Sequence, residues 1–139
     1  MKRLLHLGAS VIVVGIIAWI AVDTFFGASL RNAPSKDALR RIHQEINIGL
    51  SQDDVFAIYA RNKTGRTRLR TTIFQDTWDI SMPFEFGATD PILYVQFDSA
   101  AKVSAVAMRT SDGIHLEPPS DYQDKGDFHI PKTQENKNG

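Results

Sequence analysis

The chain of 139 residues has no cysteine. Disulfides, thiolate catalysis, cysteine-based zinc sites and lipid attachment through Cys are therefore excluded. An excess of either charge is lacking too. Sixteen Lys and Arg balance sixteen Asp and Glu, so no bulk field draws the chain toward nucleic acid. Histidine is scarce: His6, His43, His115 and His129 include no pair at metal-ligand spacing. No cofactor is implied. No nucleophile stands beside a base, and the expectation is a protein that is not an enzyme.

What the sequence does have is one long apolar stretch, "HLGASVIVVGIIAWIAV", at residues 6–22. No formal charge falls between Leu4 and Val22, and Lys2 and Arg3 precede them. A signal peptide core runs about 7–15 residues and a membrane span about 20. The length therefore suggests a retained transmembrane helix. Residues 1–30 are read as a membrane anchor or uncleaved signal. The short basic N-terminus suggests that the following domain is exported.

Residues 31–35 read as a linker. Ala38, Leu39, Ile42 and Ile46 then recur at helical spacing. A second helix opens at Ser51, a candidate N-cap, with Asp54 three positions on as the Asp form of a capping box. Its expected buried face is Val55, Phe56, Ile58 and Tyr59. From Arg66 the period becomes two. "RTRLRTTIF" puts Arg66, Arg68 and Arg70 on one face, with Thr67 and Leu69 on the other. In "TWDISM", Trp78, Ile80 and Met82 share a face; in "ILYVQF", Leu93, Val95 and Phe97 do. "KVSAVAMRT" makes a further strand after a turn at 98–101, and 114–116 a short edge. Short connections imply an antiparallel meander. The expected class is thus α+β: an N-terminal transmembrane helix, then two helices on a three- to four-stranded antiparallel meander sheet over 36–116. Residues 117–139 are polar and rich in turn formers, and read as a disordered tail.

Two surface candidates stand out. Three guanidinium groups at Arg66, Arg68 and Arg70 would meet an acidic partner or an anionic surface. The bland alternative is a charged sheet edge that blocks aggregation. The loop "PFEFGATDP", residues 83–91, sets Phe84 and Phe86 around Glu85 as anchors for a partner, or folds them onto the core. No aromatic is interleaved among the arginines, so nucleic acid is not an expected partner. Ser99-Ala100-Ala101-Lys102 and Lys63-Thr64-Gly65 imitate S-x-x-K and K-T-G, but in the wrong order, with the Ser in a turn. They are read as coincidence.

Three quoted stretches carry a family resemblance: Gly49-Leu50-Ser51-Gln52-Asp53-Asp54-Val55, then Trp78-Asp79-Ile80, then Leu93-Tyr94-Val95-Gln96-Phe97-Asp98 followed by Lys102-Val103. Over roughly residues 36–110 the chain resembles the small outer-membrane-assembly lipoprotein domain of the SmpA/OmlA or BamE-like family. The resemblance implies two helices layered on a three-stranded antiparallel sheet, acting as a non-catalytic binding module in the bacterial envelope. The chain departs from that family in lacking a lipid-modified Cys, and in replacing the expected Leu-Gly-x-Pro with Ala60–Gly65. The expected function is a membrane-tethered binding or scaffold module of the cell envelope. It would sit on a single span in the bacterial inner membrane with its domain in the periplasm. Its partners would be the membrane itself and an envelope protein or anionic envelope surface. The alternatives are an inhibitor that plugs an envelope enzyme with residues 83–91, or a small enzyme.

Overall fold

The structure, a computed structural model, describes residues 2–23, 27–83, 90–111, 116–117 and 121–130. The chain divides into two compact units, one running from the N-terminus to Arg31 and one from Asn32 onward.

The first unit holds helix α1 (Lys2–Val22) and the start of α2 (Ala28–Glu45). Ile12, Val14, Ile17 and Trp19 on α1 are all more than half exposed. Asp23 and Arg31 form a solvent-exposed ion pair at 3.9 Å, of the kind that contributes little stability. Among the described residues no helix is long and apolar enough to cross a membrane. This corrects the expected transmembrane helix, and with it the single-pass inner-membrane placement.

The second unit is two helices on a sheet. The buried stripe of α2 runs Asn32, Ser35, Ala38, Leu39, Ile42, His43, Ile46, the spacing of one helix face. The helix therefore passes through the expected linker at 31–35. It does so despite Pro34, an internal proline that forfeits a backbone hydrogen bond. Two polar side chains on the stripe hold that turn in place. Asn32 donates to Asp90 Oδ2 (2.9 Å), and Ser35 Oγ accepts the Arg68 N–H (2.9 Å).

Helix α3 (Gln52–Asn62) starts on the capping box read from the sequence. The Asp54 N–H donates to Ser51 Oγ, and the Ser51 N–H donates to Asp54 Oδ2. The Ser51 hydroxyl also donates to Asp54 Oδ2 (2.6 Å), and this bond, with that from the Ser51 N–H, holds the Asp54 carboxyl below its ordinary range. The buried face is Val55, Ile58, Tyr59 and Asn62. Phe56, expected inside, is 59% exposed.

Five strands form one antiparallel sheet in the order β1 (Arg70–Phe74), β2 (Thr77–Ser81), β3 (Pro91–Phe97), β4 (Val103–Ser111), β5 (Leu116–Glu117). The last is only two residues long, so four strands make the body of the sheet. Trp78, Ile80, Met82, Leu93, Val95, Phe97, Val106 and Met108 face the helices, and with Leu39, Ile42, Ile46, Val55 and Ile58 they make the core. Each fully buried Leu, Ile or Val there stabilises the fold by about 1.5–3 kcal/mol. The turn before β4 is fixed by Asp98 Oδ1, which accepts the N–H groups of Ala100 and Lys102.

Residues 121–130 were expected to belong to a disordered tail. In the structure they pack as a strap from the helix layer over the β4 edge to the second face of the sheet. Tyr122 stands edge-on to His43 at 5.3 Å and accepts from Arg40. Lys125 exchanges both backbone hydrogen bonds with Val106 (2.7 and 2.8 Å). Its ammonium donates to the carbonyls of His43, Gln44 and Ile46, at the C-terminal end of α2. Those carbonyls have no partner within the helix, and a cation is the natural cap for them. Arg109 holds Asp124 with two hydrogen bonds (2.7 and 2.6 Å), which keeps that carboxyl below its ordinary range. Phe128 lies over Arg109 (4.9 Å) and beside Tyr94 (5.4 Å). Gly126 makes the crossing possible. Its φ is +75°, and a Cβ there would stand 2.3 Å from the Ser104 carbonyl oxygen.

Candidate functional site

The three arginines expected on one strand face are dispersed. Arg66 sits in a turn, Arg68 in the extended segment after it, and only Arg70 lies in β1. The cause is local. Thr67 gives both its N–H and its hydroxyl to the Thr64 carbonyl (3.0 and 2.8 Å), closing a turn where the sequence alternation suggested a strand. Ser35 then clamps the Arg68 N–H. Leu69 is inserted into the core at 3% exposure, and its carbonyl accepts the Tyr59 hydroxyl (3.4 Å). Phe84, Glu85 and Phe86 lie outside the described residues.

Below Arg70 a groove of about 490 Å³ opens between α3 and β1. Phe56 and Tyr59 from α3, Leu69, and Trp78 from β2 give it apolar walls, and Arg70 to Ile73 form its outer side. Lys63, just past the end of α3, places its ammonium 5.4 Å from the Tyr59 ring centre. Among the described residues no carboxylate lines the groove, and Lys63 and Arg70 are the charged residues along it. Phe56 and Ile73 are 59% and 63% exposed on its two lips. Large apolar side chains this open, gathered beside a concavity, mark contact surfaces on folded domains.

The phase of β1 follows from a single bond. Phe97 donates its N–H to the Asp76 carbonyl (2.8 Å). The backbone groups of Asp76, and by alternation those of Trp78 and Ile80, therefore face β3. Thr77, Asp79 and Ser81 turn theirs to β1, where they stand opposite Phe74, Thr72 and Arg70. The N–H and C=O of Thr71 and Ile73 are thus directed away from β2. Among the described residues β1 ends the sheet, so these groups lie along its edge. The side chains of Thr71 and Ile73 stand opposite Ile80 and Trp78, on the groove side. Arg70, Thr72 and Phe74 take the other face.

Other polar clusters have structural duties. Asp53 and Asp54 complement the start of α3. Glu45 pairs with Arg61 and accepts from Asn62 in a shallower hollow of about 410 Å³, where its carboxyl is held low chiefly by Arg61. Asp90 meets Asn32 and, at 3.3 Å, Lys36. Asp79 is half-buried on the second face of the sheet, and burial pushes its carboxyl up to about 6. It stands on a different layer from Asp53 of α3, and His115 lies outside the described residues. Burial lowers the His43 imidazole, and neighbouring Lys125 adds to the effect. Among the described residues no group of three or more His, Asp or Glu could hold a metal ion.

No family model matches the chain, and neither does any curated protein or solved structure. The likeness to the SmpA/OmlA domain rests on the quoted residues alone.

Proposed function

We propose that the second unit is a non-catalytic binding module that captures a protein partner in the groove between α3 and β1. The observation behind this reading is the exposure of Phe56 and Ile73 on the two lips of an apolar concavity with Lys63 at its end. Phe56 lies off the buried face of α3 made by Val55, Ile58, Tyr59 and Asn62, and its ring is left open on the lip. Desolvated aromatic anchors carry much of the free energy of protein recognition.

The test is selection of random dodecapeptides from a display library on the immobilised full chain, followed by rebinding to a Phe56→Ser/Ile73→Ser variant. Both side chains are exposed, so the variant should keep its fold, which circular dichroism checks. Selected clones should bind the variant about tenfold more weakly, since losing one anchor costs over 1 kcal/mol. Clones that bind both proteins equally, or a selection that enriches nothing, would overturn the proposal.

A further inference from the structure

We infer that the partner segment is an extended peptide of alternating apolar and acidic residues, which adds to the sheet as a strand beside β1. The inference rests on the groove being the binding surface, and it names what the groove takes.

Three observations converge on it. The first is the backbone. The N–H and C=O of Thr71 and Ile73 point outward along the β1 edge, at the spacing that the next strand of an antiparallel ladder requires. The second is side-chain phase. In an added strand, the residues opposite Thr71 and Ile73 project to the same side as those two. They would enter the space walled by Phe56, Tyr59, Leu69 and Trp78. Strand addition of this kind draws affinity from the main chain and selectivity from the pockets for alternate side chains. The third is charge. Arg70 stands on the opposite face of β1 and Lys63 at the end of the groove, with Arg66 exposed on the approaching turn, and among the described residues no carboxylate lines the groove. The intervening residues of the partner would therefore be acidic.

Charge also argues against a second copy of this chain as the occupant. The β1 sequence Arg70-Thr71-Thr72-Ile73-Phe74 carries one cation and no anion, so an antiparallel second copy would set Phe74 opposite Arg70 and offer it no carboxylate. Protection against aggregation is a poor explanation of this edge. Blocking residues normally interrupt the strand itself, whereas the charge here stops at Arg70 and leaves Thr71 to Phe74 uncharged and exposed.

The test uses a capped heptapeptide, Glu-Val-Glu-Val-Asp-Val-Glu, titrated into the isotope-labelled full chain. Its controls are the same peptide N-methylated on alternate backbone amides, and a counterpart with Lys at every acidic position. The expected result is slowed hydrogen exchange at the Thr71 and Ile73 amides, about tenfold weaker binding of the N-methylated peptide, and weakening by salt. In the protein, Thr71→Pro removes an outward N–H and should weaken binding by a similar factor. The N-methylated peptide makes the same point without altering the protein. Groove shifts without protection at Thr71 and Ile73 would overturn strand addition while leaving the groove as the binding surface. Preference for the lysine peptide, or no shift with the acidic one, would overturn the inference. The library selection decides separately whether the groove binds at all.

Discussion

Along the β4 edge of the sheet, residues 121–130 take up the backbone of Val106, cap the end of α2 with Lys125 and pin Asp124 to Arg109. Along the β1 edge, Thr71 and Ile73 turn their backbone groups outward beside an apolar groove. Both edges begin with the same problem, a row of peptide groups that must find partners. One is closed by a segment of the same chain. The other is left open, where exposed Ile73 and Phe74 would ordinarily be a hazard. Among the described residues, the fold covers the β4 edge with its own chain and leaves the β1 edge uncovered. A strand-adding partner, as proposed, gives that open edge a use.

The largest effect should come from prying the closed edge apart. Gly126→Val places a Cβ against the Ser104 carbonyl at a positive φ, and should cost about 3 kcal/mol or more. Urea denaturation would show this, with faster exchange at the Lys125 and Val106 amides. A stability unchanged within error would mean that the strap is dispensable.

Lys125→Met keeps most of the stem but removes the ammonium from the α2 carbonyls. Losing charge-assisted bonds from a half-buried site should cost about 1.5–2 kcal/mol. The thermal midpoint should fall, and exchange should quicken at the last turn of α2 before the core is affected. A loss confined to the β1 edge would contradict the assigned contact.

Asp79 probes the second face, between the two edges. Its carboxyl lies at about 6 in the folded chain, raised from 3.8 by burial. The folded state therefore holds a proton that the unfolded state releases. The stability this confers is complete below 3.8 and is lost as pH rises through about 6. Asp79→Asn should raise stability near neutral pH by about 1 kcal/mol, discounted for partial exposure. The gap between variant and parent should close toward pH 4. A gap independent of pH would show that the effect is not ionisation.

The smallest effect belongs to the open edge itself. Thr71→Pro deletes an N–H that makes no bond to β2, and should cost about 1 kcal/mol or less. Thr72→Pro, one residue on, deletes a ladder bond and should cost about 3 kcal/mol. Equal losses in the two variants would mean that the backbone phase of β1 is reversed.

Much of the second unit was legible in the sequence because its signals are local. The spacing of Trp78, Ile80 and Met82, and of Leu93, Val95 and Phe97, marks the core side of β2 and β3. Ser51 and Asp54 lie within one turn of each other and announce the start of α3. What was illegible depends on distant partners. Nothing near Pro34 says that the helix continues; that depends on Asp90 and on the Arg68 N–H. Nothing in the polar run after Pro119 announces that Lys125 will cap a helix 79 residues earlier at Ile46. The arginine stripe failed because alternation alone cannot tell a strand from a turn whose hydrogen bonds are already taken up by Thr64 and Thr67. Phe56 was misplaced for a simpler reason. The helical period through Val55, Ile58, Tyr59 and Asn62 leaves it out, but its hydrophobicity argued it in. That discrepancy was the one local signal of the groove.

Order of synthesis gives the strap one more consequence. Lys125 and Gly126 leave the ribosome after every residue of β1 to β5, so a nascent chain presents two naked margins rather than one. Until the final turn of chain arrives, Val106 has no Lys125 to bond, and neighbouring nascent copies can join there instead. Products of premature termination just short of Asp121 should therefore clump, while longer ones seal themselves on release.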